Sequence, residues 1–87
     1  MTTASPAATI RVQLFASYAE RFGREFLELP LSEAATVAEL LASLRRLPEG
    51  EALGPSALVA VNLKQAAPTL RLRVGDEVAV LPPLAGG

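Results

Sequence analysis

The sequence predicts an α+β domain, a mixed sheet with one main helix packed across it. Several short segments alternate apolar and polar residues with a period of two, the mark of strands with one buried face. One segment beginning at Thr36 instead shows a helical period behind a helix-start signal. These segments run β-β-α-β-β-β within 87 residues, a length that suits one domain.

The elements follow in order. In Thr9 to Phe15, TIRVQLF, Ile10, Val12 and Leu14 share one face and Arg11 and Gln13 the other. Phe15 has the parity of the polar face although it directly follows Leu14. Ala16 to Phe22 is a short helical turn that Gly23 stops. Glu25 to Leu31 is a second strand, with Leu27, Leu29 and Leu31 alternating against Glu28. Thr36-Val37-Ala38-Glu39 is a capping-box pattern, in which the threonine hydroxyl caps the first turn and Glu39 reaches back. Val37, Leu40, Leu41 and Leu44 then form one apolar stripe. Arg45 and Arg46 suit the negative end of the helix dipole, and Pro48 ends the helix.

Glu49 to Ser56 is a loop with room for one helical turn. Ala57 to Leu63, ALVAVNL, is apolar on both faces, which predicts a central strand. A turn at Asn62 leads into a short return strand. Leu70, Leu72 and Val74 alternate with Arg71 and Arg73 up to a turn at Gly75-Asp76. Glu77 to Leu81 is the last strand, with Val78 and Val80 inward and Leu81 outward. The expected organisation is a flexible lead over residues 1–8, a folded domain over 9–81 and an extended tail over 82–87. One capped helix across such a sheet resembles the ubiquitin-like β-grasp fold, in which the first and last strands are neighbours.

Composition narrows the function. A hydrophobic content of 51% allows a core without metals or disulfides. With 8 basic and 9 acidic residues the net charge is -1, which argues against nucleic-acid and membrane-surface partners. No apolar run approaches the roughly 18 residues of a membrane helix, and MTTASPAAT lacks the features of a secretory signal. There is no Cys and no His, Asp76 is the only Asp, and Lys64 is the only Lys. That inventory removes thiol nucleophiles, zinc ligands and the usual neutral-pH base. Neither a metal site nor a self-sufficient enzyme is expected, and the lack of Cys fits a cytoplasmic protein.

The family resemblance lies in LFASYAERFG after the first strand, VAVN in the third, and GDEVAVLPPLAGG at the end. With these segments the chain resembles the small subunit of molybdopterin synthase, the MoaD-type ubiquitin-like sulfur carrier, from Ile10 to Gly87. Family members often carry an arginine where this chain has Ala19, and aromatics where it has Val80 and Leu81. The resemblance implies that a ubiquitin-activating-like adenylyltransferase uses ATP to adenylate the Gly87 carboxylate. The carboxylate then becomes a thiocarboxylate, so that sulfur is carried as 1-thioglycine at Gly87. The tail enters the synthase large subunit, and the sulfur goes to a pterin precursor to build the dithiolene of molybdopterin. No cofactor bound by this chain is implied.

Physical chemistry makes sense of such a tail. Gly86 and Gly87 lack Cβ atoms, so the backbone fits a narrow channel and reaches φ values closed to other residues. Pro82 and Pro83 favour an extended exit, which lowers the ordering cost when Leu84, Ala85 and the two glycines are inserted. Phe15 and Leu81, both outward near the ends of neighbouring strands, suggest an apolar partner interface beside the tail. Arg71 and Arg73 fit a solvated strand face, or alternatively a site for electrostatic docking to an acidic partner. Three other functions fit the same features: a carrier for thiazole or tRNA thiolation, a protein modifier joined through Gly87, or a β-grasp interaction domain without terminal chemistry.

Overall fold

The computed structural model describes residues 7–32, 34–54 and 56–83. Their elements are β1 (Ala7–Leu14), α1 (Ala16–Phe22), β2 (Phe26–Ser32), α2 (Val37–Arg45), a 3-10 turn (Gly50–Ala52), β3 (Leu58–Val61), β4 (Lys64–Gln65) and β5 (Val78–Leu81). They form one five-stranded mixed sheet in the order β2-β1-β5-β3-β4. β1 and β5 are parallel, and every other neighbouring pair is antiparallel. The ladder opens at Ala7 opposite Ser32, two residues before the alternating pattern begins.

Strand parity builds the core. Ile10, Val12 and Leu14 of β1, Leu27, Leu29 and Leu31 of β2, Val59 and Val61 of β3, and Val78 and Val80 of β5 are all buried. Val37, Leu40 and Leu44 of α2 join them in one cluster, with Tyr18 and Phe22 of α1 and the loop residues Leu53 and Leu72. At roughly 25 cal/mol per Å2 of apolar area removed from water, this burial is the main favourable contribution to folding. α1 stops at Gly23, whose φ of 73° is the left-handed conformation that glycine adopts without a Cβ penalty.

The start of α2 is completely satisfied. The Thr36 hydroxyl accepts from the Glu39 N–H at 3.2 Å, and the Glu39 carboxylate accepts from the Thr36 N–H at 2.7 Å. Of the remaining first-turn donors, Val37 N–H reaches the Leu70 carbonyl at 2.9 Å and Ala38 N–H the Pro68 carbonyl at 3.0 Å. Leu40 N–H donates to Thr36 within the helix. Four groups that a helix start normally leaves to water are therefore paired, two of them by a distant loop.

Two expectations need correction. β3 is not the central strand: β5 is, and β3 lies between it and the two-residue edge strand β4. The apolar residues on the second face of β3, Leu58 and Ala60, are only half-buried because they point to the side away from the core. Nor do Leu70, Leu72 and Val74 mark a strand face, since only Leu72 is buried. That segment makes a single bridge, Arg71 to Thr36, and its Leu70 carbonyl, like that of Pro68 just before it, accepts from the first turn of α2. Loop-to-helix bonding has replaced a ladder there.

Candidate functional site

The site grows from the end of β5. That strand runs beside β1 with Val12, Gln13 and Leu14 opposite Val78, Ala79 and Val80. The last bond between them is donated by Phe15 N–H to the Val80 carbonyl at 3.2 Å. On its other side β5 meets β3, with Leu81 opposite Leu58 and Ala79 opposite Ala60. The chain then leaves through Pro82, half-buried, and Pro83, exposed. Neither proline has an N–H for a continuing ladder, so strand pairing ends where the tail begins.

The structure places Phe15 one residue beyond β1, as the extended N-cap of α1, with 37% of its surface exposed. Ala16, next in the chain, has a φ of 53°, a left-handed conformation that turns the backbone sharply into α1. Leu81 is half-buried on the outer face of β5 and follows the residue to which Phe15 is bonded. The backbone thus brings Phe15 and Leu81 to the same end of the same strand pair. Leu84, Ala85, Gly86 and Gly87, the residues expected to carry the chemistry, lie outside the described residues.

A clamp fixes where β5 starts, and with it where the tail leaves. Asn62 donates its backbone N–H to the Glu77 carbonyl at 2.8 Å, and its side-chain oxygen accepts from the Glu77 N–H at 3.0 Å. Its amide nitrogen donates to Asp76 at 3.1 Å, while the other Asp76 oxygen accepts from the Arg73 N–H at 2.8 Å. Gly75 supplies the left-handed turn, with a φ of 94°. The GDEV stretch and the Asn of VAVN are therefore two halves of one hydrogen-bonded joint, which the sequence shows only as two separate turn signals.

Two outer-face residues escape the sequence reading. Leu58 pairs with Leu81 and widens the apolar surface beside the tail. Phe26 is exposed, with the Arg11 guanidinium 4.3 Å from its ring centroid, a cation–π contact that covers part of the ring. Parity relative to Leu27 and Val59 is the signal that places both outward.

The Phe15→Ala variant separates an interface residue from a core residue. We expect its folding stability to fall far less than that of Phe22→Ala, whose buried ring should cost about 3–5 kcal/mol on truncation. Partner binding should weaken by about 2 kcal/mol if the ring anchors an interface. Paired thermal melts and binding isotherms check both halves.

The parallel β1–β5 pair, the flanking hairpins and the helix across one face define a ubiquitin-like β-grasp protein. The ubiquitin of Caldiarchaeum subterraneum superposes with a TM-score of 0.65, at 17% identity over 93% of this chain and 99% of that one. Residues 12–87 match the model of the ThiS family, so the chain belongs to the ThiS family and has the fold of its ubiquitin-like sulfur carriers. Small archaeal modifier protein 1 of H. volcanii is 28% identical over 88% of this chain and 99% of its own, with a TM-score of 0.77. A Pyrococcus furiosus protein assigned as molybdopterin converting factor subunit 1 is 24% identical over 88% and 99%, with a TM-score of 0.76. No curated protein sequence matches significantly. Among the described residues, no helix is long and apolar enough to cross a membrane.

Proposed function

We propose that this chain is the sulfur-carrier subunit of a molybdopterin synthase, acting in the cytoplasm through the carboxylate of Gly87. The observation that carries the reading is the ending GDEVAVLPPLAGG in a member of the ThiS family. Its first half forms the Asp76 joint and β5, and its second half is the tail that leaves beside Phe15 and Leu81. In this reading the Gly87 carboxylate oxygen attacks the α-phosphate of ATP and expels pyrophosphate. A sulfur nucleophile then displaces AMP to leave the thiocarboxylate, as in other acyl activations. Transfer of that sulfur to the pterin precursor in the large subunit, with uptake of water oxygen, regenerates the carboxylate. The chain supplies the handle, its presentation and a docking face, while the partners supply the catalytic groups.

A second reading has its own support. The likeness to an archaeal modifier protein, at 28% identity, favours attachment of Gly87 to lysines of other proteins. Reconstitution decides between them. The thiocarboxylated chain, mixed with a molybdopterin synthase large subunit and pterin precursor, should yield the dithiolene pterin in proportion to the carrier consumed. Failure to form it, together with isopeptide-linked Gly87 on other proteins of the source cell, would favour the modifier.

A further inference from the structure

We propose that the β3–β4 hairpin tip and the groove behind it dock an acidic peptide segment of a partner protein, with Leu63 seated in an apolar socket of that partner. This surface is distinct from the tail and does not depend on the tail's chemistry.

The first observation is Leu63 itself. Val61 pairs with Lys64, so Asn62 and Leu63 are the two central residues of a tight hairpin. Their φ angles are 53° and 73°, the left-handed pair for which such turns strongly prefer Asn-Gly. Leucine resists that conformation because of its Cβ. Burial does not repay the misfit, since Leu63 is 91% exposed. Folding therefore explains neither the residue nor its position, and an outlier of this kind points to a role outside folding.

The second observation is the groove beside it, about 880 Å3, to whose lining Lys64, Arg71 and Arg73 contribute. No acidic residue occurs between Glu51 and Asp76 in the sequence. Asp76, the one acid in the lining, has both carboxylate oxygens engaged by Asn62 and the Arg73 N–H. Three cations against one anion leave a local excess of two positive charges in a chain whose net charge is -1. Arg71 is steadied by a 3.1 Å bond from its guanidinium to the Ala34 carbonyl. Leu70 in the groove wall is 42% exposed, and Val74, next to Arg73, is 74% exposed.

Charge complementarity selects the occupant. A nucleic acid needs a longer cationic track and gains from aromatic platforms, and the groove lining contains no aromatic residue. A short run of carboxylates interrupted by apolar side chains matches both the cations and the exposed leucines. The groove lies at the Val78 end of β5, beside Asn62, whereas Leu81 and Pro82, where the tail begins, are at the other end. One partner surface can therefore hold the hairpin while the tail remains free for chemistry.

The test is an amide-shift titration of the 15N-labelled full chain with a blocked synthetic peptide of glutamates interrupted by leucines. The same peptide with glutamine for glutamate, inorganic phosphate and a short single-stranded DNA are run alongside. We expect saturable shifts confined to residues 61–76 with the acidic peptide alone, weaker at about 300 mM than at about 25 mM salt. The Lys64→Glu/Arg73→Glu double variant should lose about tenfold or more in affinity. Leu63→Gly should bind at least about threefold more weakly, yet melt at the same or a higher temperature, because glycine suits the turn. Absence of shifts overturns the proposal, as do shifts elsewhere, wild-type binding by either variant, or an equal response to phosphate, DNA or the glutamine peptide. A lower melting temperature for Leu63→Gly would equally overturn it, by showing that folding does hold that leucine in place.

Discussion

Deletion of Gly87 is expected to abolish thiocarboxylate formation while leaving the melting temperature of the domain unchanged. The loss should be complete, because the deletion moves the terminal carboxylate one residue back, to the end of a shorter tail. Positioning a reacting group correctly is worth about 7–11 kcal/mol of a barrier, so a displaced carboxylate forfeits most of the advantage. Among the described residues, the last element ends at Leu81 and every core residue precedes it. Gly86→Val tests the companion point, since a β-branched side chain would obstruct a narrow channel, and sulfur transfer should be lost with little change in melting temperature. A plain interaction domain would tolerate both changes. Retention of full sulfur loading and transfer by either variant would remove the tail from the account.

Leu40→Ala should produce a large loss of stability, about 2–5 kcal/mol, the range for a leucine truncated in a closed core. Leu40 is fully buried in α2, where its side chain joins the cluster shared by β1, β2, β3 and β5. Its N–H belongs to the helix start that Thr36, Pro68 and Leu70 complete. The rigid first turn limits how far the helix can settle into the vacated space, which pushes the cost upward within the range. A domain of this size has about 5–15 kcal/mol in all, so the variant should melt about 8–40 °C lower, at about 4–8 °C per kcal/mol. Equilibrium denaturation should show a lower midpoint with an unchanged slope. A loss below about 1 kcal/mol would mean that the helix does not close the core as described.

Legibility in the sequence followed how locally each feature is determined. The capping box at Thr36 and Glu39 was legible because both partners lie within one turn. The burial of alternate residues in β1, β2 and β5 was legible because parity is a local property. The parallel pairing of β1 with β5 came instead from the fold resemblance, since alternation says nothing about which strand lies alongside. The misplacement of β3 has the same origin: Leu58 and Ala60 look like core in composition, but face outward beside Leu81 and Ala79. The stretch from Leu70 to Val74 alternates like a strand, yet its Leu70 carbonyl is taken by the N–H group of Val37 and its Leu72 N–H by the Ala35 carbonyl, more than thirty residues away in the sequence. Leu63 was hidden for a different reason. An apolar residue beside a strand reads as part of it, and only its backbone angle and exposure reveal the tip of a turn. The terminal Gly-Gly was legible only as chemistry implied by a resemblance.

The central claim is that the C-terminal carboxylate of Gly87 is the functional group of this protein. Intact mass after incubation with the cognate activating enzyme, ATP and a sulfur source tests it most directly. Exchange of one carboxylate oxygen for sulfur should raise the mass by about 16 Da, the change expected when a sulfur nucleophile displaces AMP from the acyl-adenylate. Alkylation of the product should then place the label on Gly87. An unchanged mass, or sulfur found on Lys64 or any other side chain, would contradict the claim.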